Sequence, residues 1–137
     1  MKKVVIAFLS SFIIMFSLAG IFSTYIVKEY IANNILPEML KPSLDMIYII
    51  AGYMLLSLLM VILYPKLVKG ENSSVKFDFL FGAFISILWL LPLTLVLHGV
   101  YNFPSSSLFI DSSWAILEQG LGGVVIGLSY RYFNTKN

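Results

Sequence analysis

The sequence predicts an all-α membrane protein: a four-transmembrane-helix antiparallel bundle, one integral membrane domain over residues 1–137, with both termini cytoplasmic. Three observations carry that expectation. Hydrophobic residues make up 59% of the chain and charged residues only 12%, roughly half the charged share of a soluble domain, and the mean hydropathy is +0.91. Four stretches nearly free of charge, about 4–27, 44–64, 77–100 and 110–131, are each long enough to cross a bilayer as a helix. The basic residues segregate: Lys2, Lys3, Lys66, Lys69, Lys76, Arg131 and Lys136 fall on one side of such a bundle, and only Lys28 and Lys41 on the other. By the positive-inside rule the richer side is cytoplasmic. Short connections favour antiparallel neighbours and a left-handed up-down-up-down arrangement.

In the first span, Met1-Lys2-Lys3 precedes Val4 to Val27, which carries no charge. A cleaved signal peptide is the rival reading, with Ser17 and Ala19 at the small positions before a cut. The apolar run continues through Ile21, Phe22, Ile26 and Val27, which favours a retained helix. Ser10, Ser17 and Thr24 recur every seven residues with Gly20 beside them, a small-polar stripe expected to be a packing seam. Lys28 to Ser43 breaks the pattern with charges, Asn33-Asn34, Pro37 and Pro42, yet keeps Tyr30, Ile31, Ile35, Leu36, Met39 and Leu40. A segment lying in the membrane interface fits that mixture.

The second span is expected to be capped by Ser43, with Asp45 in its first turn, and to close at Pro65. Gly52 and Ser57 are small positions for packing, and Tyr48, Tyr53 and Tyr64 suit an interface or a hydrogen-bond partner. A polar turn follows, with Gly70-Glu71-Asn72-Ser73-Ser74. Asn72-Ser73-Ser74 matches a glycosylation acceptor, but the turn belongs on the cytoplasmic side. In the third span Asp78 suits the positive N-terminal end of a helix. Gly82 and Ser86 form a small-x-x-x-small pair. Pro92 frees the carbonyl of Leu88, so a kink is expected, and Thr94 and His98 share a face. The turn Gly99 to Ser107 holds Tyr101, Asn102 and Pro104 and no charge.

The fourth span is the most informative. At 100° per residue, Ile110, Leu117, Leu121, Val124 and Leu128 form one aliphatic arc suited to lipid. Asp111, Trp114, Glu118, Gly122 and Val125 form a second, and Ile116, Gly120, Gly123 and Gly127 a third. Gly123-x-x-x-Gly127 lets a neighbouring backbone approach closely. Glu118 lies about 10 Å along the helix from Asp111. Against lipid a carboxylate there costs at least a few kcal/mol, so it must face protein or a water-filled cavity, or hold its proton. Tyr130, Arg131 and Tyr132 anchor the far end.

The function classes narrow by exclusion. The net charge of +2 is too small to indicate nucleic acid, and no basic–aromatic patch occurs. Cysteine is absent, which removes disulfides, thiolate chemistry and lipid attachment after Leu18-Ala19-Gly20. Nucleotide-binding glycine loops, His-Glu-x-x-His and Gly-x-Ser-x-Gly are missing, one histidine builds no multi-histidine metal site, and no cofactor motif appears. No catalytic residue is assigned.

One constellation remains. His98, Tyr101, Asn102, Asp111 and Trp114 flank one turn at the outer edge, with Glu118 one to two turns below. Together they suit a proton relay, a cation site, or an amine held against Trp114. Each except Glu118 also has an ordinary use at a helix end: interfacial histidine, cap, belt anchor.

Tyr101-Asn102, then Leu108-Phe109-Ile110-Asp111-Ser112-Ser113-Trp114, then a glycine-rich helix, resembles small bacterial four-helix membrane proteins known only as domains of unknown function. In those, an aromatic–polar turn precedes a last helix opening with an acid and a tryptophan. The likeness covers the last third best. It departs at Ala115, where glycine is expected, and just after Tyr101. The resemblance implies the four-helix fold and no activity.

Two functional expectations follow. The glycine and serine seams (Gly82 and Ser86; Gly120, Gly123 and Gly127; Ser10, Ser17 and Gly20) point to a small polytopic inner-membrane protein. It would act through helix contacts, with a second copy of itself or as an accessory subunit of a membrane partner. The alternative is a small transporter or ligand-binding bundle with Glu118 as its buried ionisable group. An intramembrane enzyme using His98 is the weakest reading.

Overall fold

The computed structural model describes residues 2–34, 43–68, 74–102 and 104–134. Its elements are α1 (Lys2–Ile21), a π-helical turn (Phe22–Ile26), α2 (Lys28–Asn34), α3 (Met46–Leu67), α4 (Val75–Val100) and α5 (Ser105–Asn134). No strand occurs among the described residues. Three helices, Lys2–Ile26, α3 and α4, are long and apolar enough to cross a membrane. Helix α5 is longer still, but Asp111, Glu118, Gln119 and Arg131 dilute its apolar character. The outward surface is an aliphatic coat: Ile13, Leu55 and Leu95 are each 58% exposed, as lipid solvation requires and water would penalise.

Helix α5 is the element the others pack on. Helix α4 lies along it most extensively and α1 next, while α3 rests mainly on α1. Helices α3 and α4 touch little; they meet where the Tyr64 ring stands edge-on to Phe81, 5.3 Å between centroids. Directions follow from the contacts. Ser11 meets Ser57 and Phe16 meets Tyr53, so α1 and α3 are antiparallel. Asp78 meets Arg131 and Trp89 meets Gln119, so α4 and α5 are antiparallel. Lys3 sits over Tyr130 and Phe22 stacks on Trp114, so α1 and α5 are antiparallel as well. One end therefore gathers Lys2, Lys3, Lys66, Lys76 and Arg131, whereas among the described residues the other end carries Lys28. The core sits in the basic half, where Ala7, Met15, Met60, Val61, Tyr64, Phe81, Ile85 and Ile126 form one buried cluster.

Several boundaries differ from expectation. The residue before the first turn of α3 is Asp45, not Ser43; aspartate caps as well as serine, so propensity does not separate them. Helix α3 runs on through Pro65 to Leu67. Proline has no N–H to give the Val61 carbonyl, and the Tyr130 hydroxyl donates to that oxygen instead, at 3.1 Å. Helix α4 starts at Val75 behind Ser74, whose Oγ accepts from the Phe77 N–H at 3.5 Å, and it continues through Pro92. Ser105–Ser107, read as turn, are helical: the Pro104 carbonyl accepts from both the N–H and the hydroxyl of Ser107, at 3.0 and 2.7 Å, closing the first turn. Of the expected interfacial segment, Lys28–Asn34 is helical, and Tyr30 is hydrogen-bonded to Ser106 at 2.7 Å. Its remainder (Ile35, Leu36, Pro37, Met39, Leu40, Lys41 and Pro42), Lys69, the turn Gly70-Glu71-Asn72-Ser73 and Lys136 lie outside the described residues.

Candidate functional site

Glycine sets how closely α5 is approached. A Cβ on Gly82 would overlap the Gln119 carbonyl oxygen, one on Gly123 the Asp78 carbonyl oxygen, one on Gly120 the Phe79 ring, and one on Gly127 the Asp78 carboxylate. Ser86 is buried on the same side of α4. On another face Gly122 receives Met15, whose Sδ would lie 2.7 Å from an added Cβ. Helices α4 and α5 are thus in backbone contact, which only small residues allow. These glycines are taken up inside the chain, so the seam that pointed to an oligomer or accessory subunit offers no free surface there.

The expected stripe on α1 behaves differently. Ser10 donates to its own helix at the Ile6 carbonyl, 2.6 Å away, and a hydroxyl satisfied in that way needs no neighbour. Ser17 and Thr24 are exposed, and Gly20 has nothing within 4 Å of a Cβ. The packing face of α1 runs instead through Ala7, Ser11 and Met15, with Ser11 and Ser57 joined by their hydroxyls at 2.5 Å. Gly52 of α3 likewise has no neighbour within 4 Å.

Close packing on α4 and α1 carries the polar groups of α5 inward. Glu118 is 4% exposed and Gln119 1%. Trp89 Nε1 donates to Gln119 Oε1 at 3.0 Å, and the Tyr53 hydroxyl donates to Glu118 Oε2 at 3.3 Å. Two cavities meet at Glu118. One, of about 550 Å³, is a cleft towards the end opposite the basic residues. Its walls are Phe16, Ala19, Gly20, Phe22, Ser23 and Thr24 from α1 and the π-turn, Leu44, Met46, Ile49 and Tyr53 from α3 and its approach, Trp89 and Leu90 from α4, and Asp111, Trp114, Ala115, Glu118 and Gln119 from α5. The other, of about 590 Å³, is a groove between α3 and α4, bounded by Leu55, Leu56, Leu59, Leu63, Ile85 and Leu88 among others. Ile49, Tyr53, Trp89 and Glu118 wall both, and among the described residues no lysine, arginine or histidine lines either.

The π-turn shapes the cleft. The Val27 N–H bonds back to the Phe22 carbonyl at 3.0 Å, and the extra residue in this turn widens the helix where Phe22, Ser23 and Thr24 reach the wall. Such turns recur at functional sites. The Phe22 ring stacks on Trp114 at 4.8 Å and 11°.

Of the six residues expected at the outer edge, Asp111, Trp114 and Glu118 share the cleft. His98, Tyr101 and Asn102 do not line it. The His98 ring lies between two backbone carbonyls, Nδ1 2.9 Å from that of Thr94 and Nε2 3.3 Å from that of Pro104. The ring donates to at least one of these carbonyls, so His98 stitches the turn from α4 into α5. Tyr101 and Asn102 are exposed in that turn. Among the described residues no three of His, Asp and Glu gather as metal ligands.

A second polar centre lies at the basic end and was read in the sequence only as two separate residues. Asp78 is fully buried, with Arg131 Nη2 2.6 Å from its Oδ2 and the Tyr64 hydroxyl donating to its Oδ1 at 2.5 Å. Gly127 makes room for the carboxylate. The signal was available: consecutive antiparallel helices put the first turn of one beside the last turn of the next, so Asp78 and Arg131 had to share an end. Tyr53, Trp89 and Gln119 were not seen as site residues, because nothing local marks a tyrosine or tryptophan whose partner is more than 25 residues away.

No protein-family model matches the chain, and no curated protein or solved structure matches it.

Proposed function

We propose that the chain is a multi-pass inner-membrane protein with α5 as its fourth transmembrane helix, and that it binds, and in a transport reading carries, a ligand at Glu118. The observation that carries this reading is a buried carboxyl group at the junction of two cavities, neither of which is lined by a basic side chain among the described residues. Structural carboxylates in membranes are paired within the protein, as Asp78 is with Arg131. Glu118 is met instead by the neutral donors of Tyr53 and Trp114, beside open space. Helix α5 can cross the bilayer despite its polar residues because Glu118, Gln119 and the glycines face α1, α3 and α4, while Leu117, Leu121 and Leu128 are exposed. The end bearing Lys2, Lys3, Lys66, Lys76 and Arg131 is cytoplasmic by the positive-inside rule. Both termini lie on that side, and the cleft opens on the outer side. The four-helix resemblance is consistent with this.

The chain contains two tryptophans, Trp89 and Trp114, and both wall the cleft. Its intrinsic fluorescence is therefore a built-in binding signal. Purified protein in maltoside micelles would be titrated with three probes of equal chain length: dodecyltrimethylammonium, dodecanol and dodecyl phosphate. At least one gives a saturable response that Glu118→Gln changes. If no probe saturates, or Glu118→Gln binds all three as the parent does, the reading is wrong.

A further inference from the structure

We infer that the ligand is an amphipathic organic cation, one charged head on an alkyl chain, and that it reaches Glu118 from the bilayer through the gap between α3 and α4. The inference rests on the ligand-site reading above and specifies its chemistry.

The head group follows from charge and from the walls. Glu118 lines both cavities, Asp111 lines the cleft within electrostatic reach of His98, and among the described residues neither cavity is lined by a lysine, arginine or histidine. Arg131 is thirteen residues along α5, about 20 Å away, and is engaged by Asp78. In a medium of low dielectric an acid with no base beside it selects for positive charge and against negative charge. The surrounding surface is aromatic: Trp114 stacked on Phe22, with Trp89 and Tyr53 opposite. Aromatic faces hold alkylammonium groups, whereas a calcium or magnesium ion needs several oxygen ligands. Among the described residues Glu118 alone projects a carboxyl group at this depth.

The tail and the route follow from the groove. From Tyr53 to Leu63 the groove follows α3 for ten residues, about 15 Å at the helical rise, enough for a dodecyl chain. Its lining there is Leu56, Leu59 and Leu63 facing Ile85 and Leu88. It is open to lipid, since Leu59 is 47% and Leu88 58% exposed, and α3 and α4 close on each other at Tyr64 and Phe81. The head at Glu118 then lies level with Tyr53, in the outer half of α3, and the tail runs along α3 towards its basic end.

The fluorescence titration with the same three probes tests both parts. Dodecyltrimethylammonium binds about ten-fold or more tightly than dodecanol, and Glu118→Gln removes most of that preference. Gly52 lines the groove and Gly99 lines neither cavity, and a Cβ on either meets nothing within 4 Å. Gly52→Phe obstructs the groove and slows or weakens cation binding; Gly99→Phe leaves the binding rate near that of the parent. Gly52→Val, which narrows the same gap less, gives an intermediate result and serves if the phenylalanine variant does not fold. Dodecanol or dodecyl phosphate binding as tightly as the cation, with Glu118→Gln still altering their binding, overturns the cationic ligand but leaves the site. Unchanged binding rates in Gly52→Phe and Gly52→Val overturn the lateral route.

Discussion

Replacing Gly82 by alanine places one methyl at the closest approach of two backbones. The new Cβ would overlap the Gln119 carbonyl oxygen, with the carbonyl carbon at 2.5 Å and Gly120 Cα at 2.9 Å. All three atoms belong to the backbone of α5, so no rotamer change makes room, and α4 and α5 must separate. A separation of the order of 1 Å forfeits between a quarter and a half of each dispersion contact along the seam. Overpacking of this kind costs about 1–3 kcal/mol, with the upper part of that range expected where the obstacle is backbone. Alanine returns up to about 1 kcal/mol as the better helix former. The net is a loss of about 1–2 kcal/mol. At Gly20 and Gly52 the same substitution meets nothing within 4 Å, so only the gain of up to about 1 kcal/mol remains. Gly122 falls between, because its obstacle is the flexible end of Met15, with Sδ at 2.7 Å and Cγ at 2.9 Å. Unfolding in maltoside micelles by rising dodecyl sulfate fraction, followed by helical circular dichroism, ranks the four variants. The expected order of stability is Gly52→Ala and Gly20→Ala above the parent, Gly122→Ala near it, and Gly82→Ala below. If Gly82→Ala and Gly52→Ala shift the midpoint in the same direction, the backbone contact between α4 and α5 is not the one described.

The same assay reads three other features. Arg131→Gln leaves the fully buried Asp78 carboxylate without its cation and costs about 3–5 kcal/mol; adding Asp78→Asn recovers part of that loss, and strictly additive losses would refute the pairing. Tyr130→Phe removes the donor to the Val61 carbonyl and costs about 1–2 kcal/mol. In a Pro65→Ala background the restored N–H serves that carbonyl, so Tyr130→Phe should lose most of its effect; an equal effect in both backgrounds would show that the hydroxyl does not stand in for the missing N–H. Ser11→Ala costs about 0.6–2 kcal/mol through the hydroxyl pair with Ser57, whereas Ser17→Ala, on the exposed side of α1, is close to neutral. A reversed ranking of the two serines would place the packing face of α1 on the other stripe.

Helical content and three of the crossings were legible because they depend on composition alone. The exposed aliphatic arc of α5 was legible too: a wheel separates Leu117, Leu121 and Leu128 from the glycines without knowledge of any partner. What could not be read was which of two equivalent small-residue stripes would pack. Ser10 and Ser11 are neighbours, both able to sit in a seam. The choice fell to Ser11 through the position of Ser57, a contact spanning 46 residues. The run past Pro65 was hidden for the same reason, since the rule that proline ends a helix assumes that nothing else satisfies the orphaned carbonyl. Glu118 stood out as an acid inside an apolar stretch, but its surroundings did not: Tyr53 suited an interface or a hydrogen bond equally well, and nothing local marked Trp89.

The least apolar of the long helices sits at the centre, and the site follows from that. A helix carrying Glu118 and Gln119 in one turn is poorly solvated by lipid, so it must be covered. Gly82 and Gly123 let α4 cover it at backbone distance, while Gly120 and Gly122 admit the side chains of Phe79 from α4 and Met15 from α1. Having been drawn in so tightly, those two helices leave α3 resting mainly on α1 and touching α4 little. The wedge left between α3 and α4 lies over Glu118, and its other wall is the cleft beneath the π-turn. The packing that buries the acid therefore also keeps one approach to it open. Sealing the wedge would need bulk at Gly52, where the chain instead carries no side chain at all.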